Sequence, residues 1–314
     1  MTHAPSSIRA APPVIGVDIG GTTLVAVLAD RDGTPLRRAG GTTPAASGPA
    51  AVLDAVVELC AAVDPTRSAT AIAIGTTGIV APGRGVILAS TDAMPGWAGT
   101  DVAGGLSSRV GIDDVLVLND VHAFLAGEWT TGAARGRSSA VAVTLGTGVG
   151  GAVVADGRLV LGRHGGAGHL GHVDVALAAG RVCPCGRTGH LESVAGARAI
   201  LTIAAERGLH IRHVRDLGAL AATGHHVALE LLAEVGQATG LVLAGVVNTL
   251  APDVVVVGGG VSGCGEPLLG PLREALTSSV LPLFADVDVV LASGGPDAVA
   301  LGAACAWSNA MVPS

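Results

Sequence analysis

The sequence predicts an α/β protein with mixed sheets, in which short apolar strands alternate with longer helical segments. Three apolar runs, at residues 14–17, 141–145 and 254–257, each end in a glycine-rich turn. Helical periodicity occupies the stretches between them, at residues 48–62, 121–128 and 227–248. Because a chain of 314 residues with 49% hydrophobic residues can bury more than one core, we predict two domains.

The first two apolar runs share a plan that amounts to a coarse internal repeat. Each is followed by a polar, glycine-containing turn and then by a second apolar run, which is the pattern of a β-hairpin. The turn reads DIGGTT at residues 18–23 and GTGVGG at residues 146–151. The third apolar run, which leads into a glycine triplet at residues 258–260, is predicted to be another buried strand.

We place the domain boundary near Leu118, which gives a small domain of residues 14–118 and a large domain of residues 119–297. A C-terminal helix, at about residues 298–314, is predicted to pack back onto the small domain. Residues 1–13 contain no apolar run, so we expect a disordered N-terminal arm rather than a secretory signal. The protein is therefore expected to be cytoplasmic.

Charge and hydropathy argue against two classes of partner. The net charge of −7 provides no clustered positive field for nucleic acid, so we expect no nucleic-acid partner. The mean hydropathy is +0.60, but no stretch reaches the roughly 18 uninterrupted apolar residues of a spanning helix, so we expect no membrane partner.

Both hairpin turns have the composition of a phosphate-binding loop. Consecutive glycines beside a hydroxyl residue leave backbone N–H groups free to point at phosphate oxygens. Either turn alone is equally typical of an ordinary hairpin, whereas two such turns after buried strands favour phosphate binding. Asp18, just before the first turn, is a candidate Mg²⁺ ligand, with an Asx-turn cap as the alternative.

A candidate general base follows the apolar run at residues 115–118. Phosphoryl transfer to a hydroxyl needs a carboxylate that can accept the hydroxyl proton, and Asp120 stands where a strand gives way to a helix. Asn119 is then placed to orient a neighbouring hydroxyl. The alternative is that the two residues only cap the helix.

A metal site is predicted around Cys183 and Cys185. These cysteines are separated by one residue, which is poor geometry for a mutual disulfide. His172 and His190 complete a set of two nitrogen and two sulfur ligands, which suits a closed structural Zn²⁺ site. The alternative is a pair of free thiols in a polar loop.

Taken in order, the motifs resemble the signatures of the ROK family over nearly the whole chain. They are Asp18-x-Gly20-Gly21-Thr22, Asn119-Asp120, Leu145-Gly146-Thr147-Gly148-Val149-Gly150-Gly151, Ala167-Gly168-x-x-Gly171-His172 and Cys183-x-Cys185-Gly186-x-x-Gly189-x-x-Glu192. The resemblance implies the actin-like ATPase (ribonuclease H-like) fold, with two α/β domains around a central cleft. It also implies an ATP-dependent sugar kinase that uses Mg²⁺ and structural Zn²⁺, and that forms a homodimer.

The same resemblance assigns roles residue by residue. Asp120 is implied as the catalytic base. The residues implied to contact the sugar are Gly78, Asn119, Asp120, His169, His172 and Glu192. Those implied to bind the nucleotide are Asp18, Gly20, Gly21, Thr22, Thr23, Gly146, Thr147, Gly148, Gly259 and Gly260. The implied zinc ligands are His172, Cys183, Cys185 and His190.

Two positions depart from the family pattern. His169 stands where most relatives have glutamate, and in this it is similar to bacterial N-acetylmannosamine kinases. That sugar is therefore our first expectation, beside an ordinary glucokinase or an N-acetylglucosamine or amino-glucose kinase. His190 stands where the family has cysteine, and because imidazole is also a zinc ligand we expect the metal to remain.

The sequence disfavours the alternatives to an ATP-dependent kinase. The family includes sugar-responsive repressors, but the 13 residues before the first strand are too few for a DNA-reading domain. A non-catalytic sugar sensor is disfavoured by the intact Asp18, Asp120 and both turns, and a polyphosphate donor by the lack of a basic cluster.

Trp97 is predicted either to close over the sugar or to lie in the core.

Overall fold

The computed structural model describes residues 12–91 and 94–312. The chain divides into two compact units, one formed by Met1–Gly127 with Pro296–Ser314 and the other by Glu128–Gly295. The division follows Gly127, later than Leu118, where the sequence led us to place it. Apart from Pro12 and Pro13, the predicted N-terminal arm lies outside the described residues.

The strands and helices alternate as expected of an α/β protein. The strands are β1 (Val14–Ile19), β2 (Thr23–Ala29), β3 (Pro35–Thr42), β4 (Ala71–Thr76), β5 (Ile79–Val80), β6 (Ile87–Ala89), β7 (Val115–Asn119), β8 (Ala140–Leu145), β9 (Val149–Ala155), β10 (Arg158–Leu159), β11 (Val254–Gly258) and β12 (Asp288–Leu291). The α-helices are α1 (Pro49–Val63), α2 (Val102–Val110), α3 (Asp120–Thr130), α4 (Glu192–Ala195), α5 (Ala197–Glu206), α6 (Val214–Ala222), α7 (His226–Leu250), α8 (Glu266–Ser279) and α9 (Ala298–Ser308).

The first unit is built on a five-stranded sheet in the order β3-β2-β1-β4-β7. Strands β1, β4 and β7 are parallel, and β2 and β3 extend the sheet as an antiparallel meander. The register aligns Ile19 with Thr76, and Thr76 with Asn119. Since these three residues end their strands, the segments that follow them emerge at one edge of the sheet.

Helix α9, the last in the chain, packs against β1 and β4 of this first sheet. A glycine in β1 makes the close approach possible, because a Cβ on Gly16 would collide with the carbonyl oxygen of Ala300. Seven of the eleven residues of α9 are buried. The end of the chain therefore completes the core of the first unit.

The second unit repeats the plan of the first. Its five-stranded sheet has the order β10-β9-β8-β11-β12, with β8, β11 and β12 parallel and β9 and β10 antiparallel. In both sheets a three-stranded meander precedes two parallel strands. The coarse repeat seen in the sequence is thus a repeat of sheet topology, with a glycine turn joining the first two strands in each case.

Helix α7 is the central helix of the second unit. It is the one helix in the described residues that is long and apolar enough to cross a membrane, and 61% of its most apolar window is buried inside the protein. It packs closely on α8, where a Cβ on Gly240 would meet the Cβ of Ala275 at 2.9 Å. The apolar character of α7 is accounted for by this helix pairing in the core.

Candidate active site

In the first unit, the predicted phosphate turn and the predicted base lie at the same sheet edge. Asp18 is the fifth residue of β1, and Asp120 is the first residue of α3, directly after β7. Burial, and then the negative charge of Asp120, raise the pKa of the Asp18 carboxyl to about 7. Because the charge of Asp120 disfavours the ionisation of Asp18, a cation bound beside the two carboxylates would be favoured.

The first turn is held by hydrogen bonds within its own backbone and by Thr43, the residue that follows β3. The N–H of Gly20 donates to the carbonyl oxygen of Thr23 at 3.0 Å. The hydroxyl of the buried Thr43 donates to the carbonyl oxygen of Gly20 at 2.7 Å. The backbone N–H of Thr43 donates to the carbonyl oxygen of Thr22 at 3.0 Å. Thr22 and Thr23 are exposed, so the tip of the turn is open to a ligand.

Asn119 is already engaged at both ends of its side chain. Its amide donates to the carbonyl oxygen of Gly78 at 3.0 Å, and its Oδ1 accepts from the N–H of Val121 at 2.9 Å. The Asp120 carboxylate also accepts from the N–H of Val121, at 2.9 Å. The two side chains therefore cap the start of α3, and the roles of Asp120 as a base and of Asn119 in orienting a hydroxyl stay predictions.

The second unit brings together the other predicted nucleotide residues. Gly146, Thr147 and Gly148 join β8 to β9, and the N–H of Gly146 donates to the carbonyl oxygen of Gly148 at 2.9 Å. Gly259 and Gly260 follow β11, which pairs in parallel with β8. Both segments thus leave the same edge of the second sheet.

The predicted metal ligands also converge in the second unit. One ligand atom from each of His172, Cys183, Cys185 and His190 lies within 4.8 Å of the other three; we call this set the His/Cys cluster. Cys183 Sγ lies 3.6 Å from His172 Nδ1, and Cys185 Sγ lies 3.3 Å from His190 Nδ1. A tetrahedral zinc site has ligand separations of about 3.5 Å, so the two nitrogens and two sulfurs fit that ion.

Burial shifts the pKa of two members of the His/Cys cluster, His172 and Cys183. Burial lowers the pKa of His172, which favours the neutral imidazole that binds metals. Burial raises the pKa of the Cys183 thiol to about 11 in the metal-free protein. Because a metal binds the thiolate, metal binding at this site would release a proton.

His169 has a defined hydrogen-bonding polarity. Its Nδ1 lies 3.0 Å from the carbonyl oxygen of Gly166. A carbonyl oxygen can only accept, so Nδ1 carries the hydrogen and the Nε2 of the neutral ring is an acceptor. The ring stacks with that of His172 at 6.1 Å between centroids, which places it beside the His/Cys cluster.

Two contacts at the site were not anticipated from the sequence. Thr43 braces the first turn, and Glu192 accepts a hydrogen bond from the N–H of Val149, at the end of the second turn, at 2.8 Å. Neither has a local sequence signal, because each depends on a pairing between distant segments. Trp97, in contrast, is buried in the first unit with its indole N–H 3.2 Å from the Thr76 hydroxyl, so it is a core residue.

Known proteins with similar sequences and structures identify the family of this chain. The ROK family model matches residues 14–310. A glucokinase from Thermotoga maritima is 36% identical over 306 residues, covering 93% of this chain and 96% of the relative. An N-acetylmannosamine kinase from Citrobacter koseri is 35% identical over 291 residues, covering 92% of this chain and 97% of the relative.

Among solved structures, a ROK family glucokinase from Streptomyces griseus, in complex with glucose and AMPPNP, superposes with a TM-score of 0.79 at 30% identity. The match covers 93% of this chain and 98% of that one. The mixed α/β architecture described above is the actin-like ATPase fold of such kinases. By sequence and by structure, this chain belongs to the ROK family.

Proposed function

We propose that this chain transfers the γ-phosphoryl group of ATP to the 6-hydroxyl of a hexose or an N-acyl- or amino-hexose. Our first choice of substrate is N-acetylmannosamine, and glucose is the second. The chain is a sugar kinase of the ROK family; the specific reaction and its residues are the proposal. The observation that carries it is the pair of interacting carboxylates, Asp18 and Asp120, at the sheet edge beside a glycine turn.

In the proposed reaction, Asp120 accepts the proton of the sugar hydroxyl as that oxygen attacks the γ-phosphorus. Mg²⁺, when bound with ATP, neutralises the charge of the phosphates, and Asp18 is the residue that would hold it, directly or through water. Backbone N–H groups of the two turns orient the phosphates. Gly259 and Gly260 are assigned to the adenosine side of the nucleotide.

The residues assigned to the sugar are Gly78, Asn119, Asp120, His169, His172 and Glu192. A zinc ion in the His/Cys cluster would be structural, because four protein ligands leave no open position for water. The cluster would hold the loop that carries His172 and Glu192. We further propose a cytoplasmic homodimer.

The substrate preference is argued from His169. A glutamate offers two oxygens and a negative charge to hydroxyls at the anomeric end, whereas the Nε2 of His169 offers one neutral acceptor. That acceptor serves one donor, such as a single hydroxyl or the N–H of an acetamido group. The ring carries no negative charge, so it repels the acetamido carbonyl oxygen less than a glutamate would, which supports an N-acetylated sugar.

The first test is an ADP-release assay with Mg-ATP and glucose, mannose, N-acetylmannosamine, N-acetylglucosamine and free amino-hexoses. We expect turnover on one of these sugars, and a decrease in kcat of roughly 10²- to 10⁴-fold in Asp120→Asn. Sugar binding without turnover on any of them would indicate a non-catalytic sensor instead.

The second test exchanges the acceptor at the sugar's anomeric end. His169→Glu should raise the ratio of kcat/KM for glucose over N-acetylmannosamine by about tenfold or more, equivalent to about 1.4 kcal/mol. His164→Asn, an exposed position in the same loop with a left-handed backbone that asparagine tolerates, is the matched control. An unchanged ratio in His169→Glu would remove His169 from the substrate argument.

A further inference from the structure

Glu192 links two parts of the second unit that have different proposed ligands. It begins α4, two residues after His190 of the His/Cys cluster, in the segment assigned to the sugar. Its Oε2 accepts the hydrogen bond from the N–H of Val149, the first residue after the turn assigned to the ATP phosphates. One carboxylate therefore touches the phosphate turn from the sugar side.

The carboxylate lies directly against the backbone of the turn. A Cβ on Gly148 would lie 2.5 Å from Oε2 of Glu192, so a larger residue at this position would require the carboxylate to shift. The N–H of Ala197, after α4, donates to the carbonyl oxygen of Gly146 at 2.8 Å. Both ends of the turn are thus bonded to the segment that begins at Glu192.

A second sugar-side segment packs on the same turn. Gly171 lies next to His172, and a Cβ at this position would collide with the carbonyl oxygen of Val149. The two backbones are therefore in direct contact. Whatever fixes the segments that carry His172 and Glu192 also restricts the backbone of the turn between β8 and β9.

The other oxygen of Glu192 remains available. Within the described residues, Oε2 is the atom of this carboxylate that makes a hydrogen bond to the protein. Oε1 can therefore accept from a ligand hydroxyl while Oε2 keeps the N–H of Val149. A hydrogen bond to a charged acceptor is among the stronger ones in a protein, so ordering the carboxylate would also order the turn.

We propose that Glu192 is a positioning residue that couples the sugar pocket to the phosphate turn. This inference rests on the proposed function. A sugar hydroxyl on Oε1 fixes the carboxylate, which fixes the N–H of Val149 and with it the turn that receives the ATP phosphates. By linkage, the nucleotide must favour sugar binding by the same factor.

The experiment is calorimetric titration of Mg-AMPPNP into the full-length protein, with and without saturating N-acetylmannosamine or glucose. In the wild type, sugar should tighten AMPPNP binding by about fivefold or more. In Glu192→Ala the factor should fall to about one, and AMPPNP should also bind more weakly in the absence of sugar. A residue that only contacts sugar would leave that sugar-free affinity unchanged, so this second readout separates the two roles.

Two further variants complete the design. Glu192→Gln keeps an acceptor for Val149 without the charge, and it should retain the fold with a reduced coupling factor; it provides the test if the alanine variant does not fold. Glu206→Gln removes an exposed carboxylate that pairs with Arg181 in the same unit, and it should couple like the wild type.

The outcomes distinguish this inference from the proposed function. If the wild type binds AMPPNP and sugar with coupling, and both Glu192 variants couple equally well, the positioning role is wrong and the kinase proposal stands. If the wild type binds neither ligand, the kinase proposal itself is wrong.

Discussion

The carboxyl group of Asp18 should make the ligand-free protein less stable as the pH rises from about 4 to about 7. Burial, and then the charge of Asp120, raise its pKa from 3.8 to about 7 in the folded protein. The folded state then binds this proton more tightly than the unfolded chain does. The stabilising contribution is complete below pH 3.8 and is lost as the pH rises through about 7.

The size of the effect follows from the shift in pKa. A pKa raised from 3.8 to about 7 corresponds to at most about 4 kcal/mol. Because the Asp18 side chain is only half-buried, solvent screens part of this free energy, and we expect about 2 kcal/mol. Asp18→Asn removes the charge, so at neutral pH it should be more stable than the wild type by about that amount, or by several degrees in Tm.

The measurement is thermal unfolding in EDTA without nucleotide, from about pH 4.5 to about pH 8.5. The difference in Tm between Asp18→Asn and the wild type should grow up to about pH 7 and then level off. Asp32→Asn, an exposed aspartate between β2 and β3, is the control and should run parallel to the wild type. A lower Tm for Asp18→Asn than for the wild type at pH 8 would refute the argument that this buried charge is destabilising.

Three further predictions concern packing and the metal. Gly16→Ala should lower the free energy of unfolding, measured by chemical denaturation, by about 1–3 kcal/mol, because the new Cβ meets the backbone of α9. Gly41→Ala, with open space around its Cβ, should leave that free energy nearly unchanged. Trp97→Phe should lower the free energy of unfolding by about 1 kcal/mol, because it removes the hydrogen bond to Thr76, while the KM for sugar is unchanged. A large rise in KM would contradict the placement of Trp97 in the core. If the His/Cys cluster holds zinc as proposed, exhaustive chelation, with the metal content measured by atomic absorption, should weaken sugar binding. Unchanged affinity after loss of the metal would show that the His/Cys cluster does not support the sugar pocket.

Much of the fold could be predicted because its signals are local. Apolar runs ending in glycine identified β1, β8 and β11, and the repeat of a strand, a turn and a second strand anticipated the shared topology of the two sheets. The predicted boundary near Leu118 rests on a weaker signal. Helix α3 starts directly after β7, and no proline, glycine-rich linker or change of composition marks the division at Gly127.

The candidate site likewise has parts that could be predicted from the sequence and parts that could not. Asp18 and Asp120 could each be singled out from the sequence, because one stands near the end of an apolar strand and the other directly after one; that β1 and β7 end at the same edge of one sheet is seen only in the structure. The His/Cys cluster was predictable because its residue types restrict the possible chemistry. The polarity of His169 could not be predicted, since it depends on a backbone carbonyl oxygen three residues away in an irregular loop.

The two glycine turns show how one local pattern acquires different supports. The first turn is braced by Thr43, which follows β3 of the same sheet, so its support comes with the meander itself. The second is braced by Glu192, from a segment outside the sheet that also carries His190 of the His/Cys cluster. We therefore expect a change at the His/Cys cluster to reach the second turn through Glu192, whereas among the described residues the support of the first turn includes none from that segment. If the second turn holds ATP phosphates, it is the part of the nucleotide site that we expect to respond to the sugar and to a metal in the cluster.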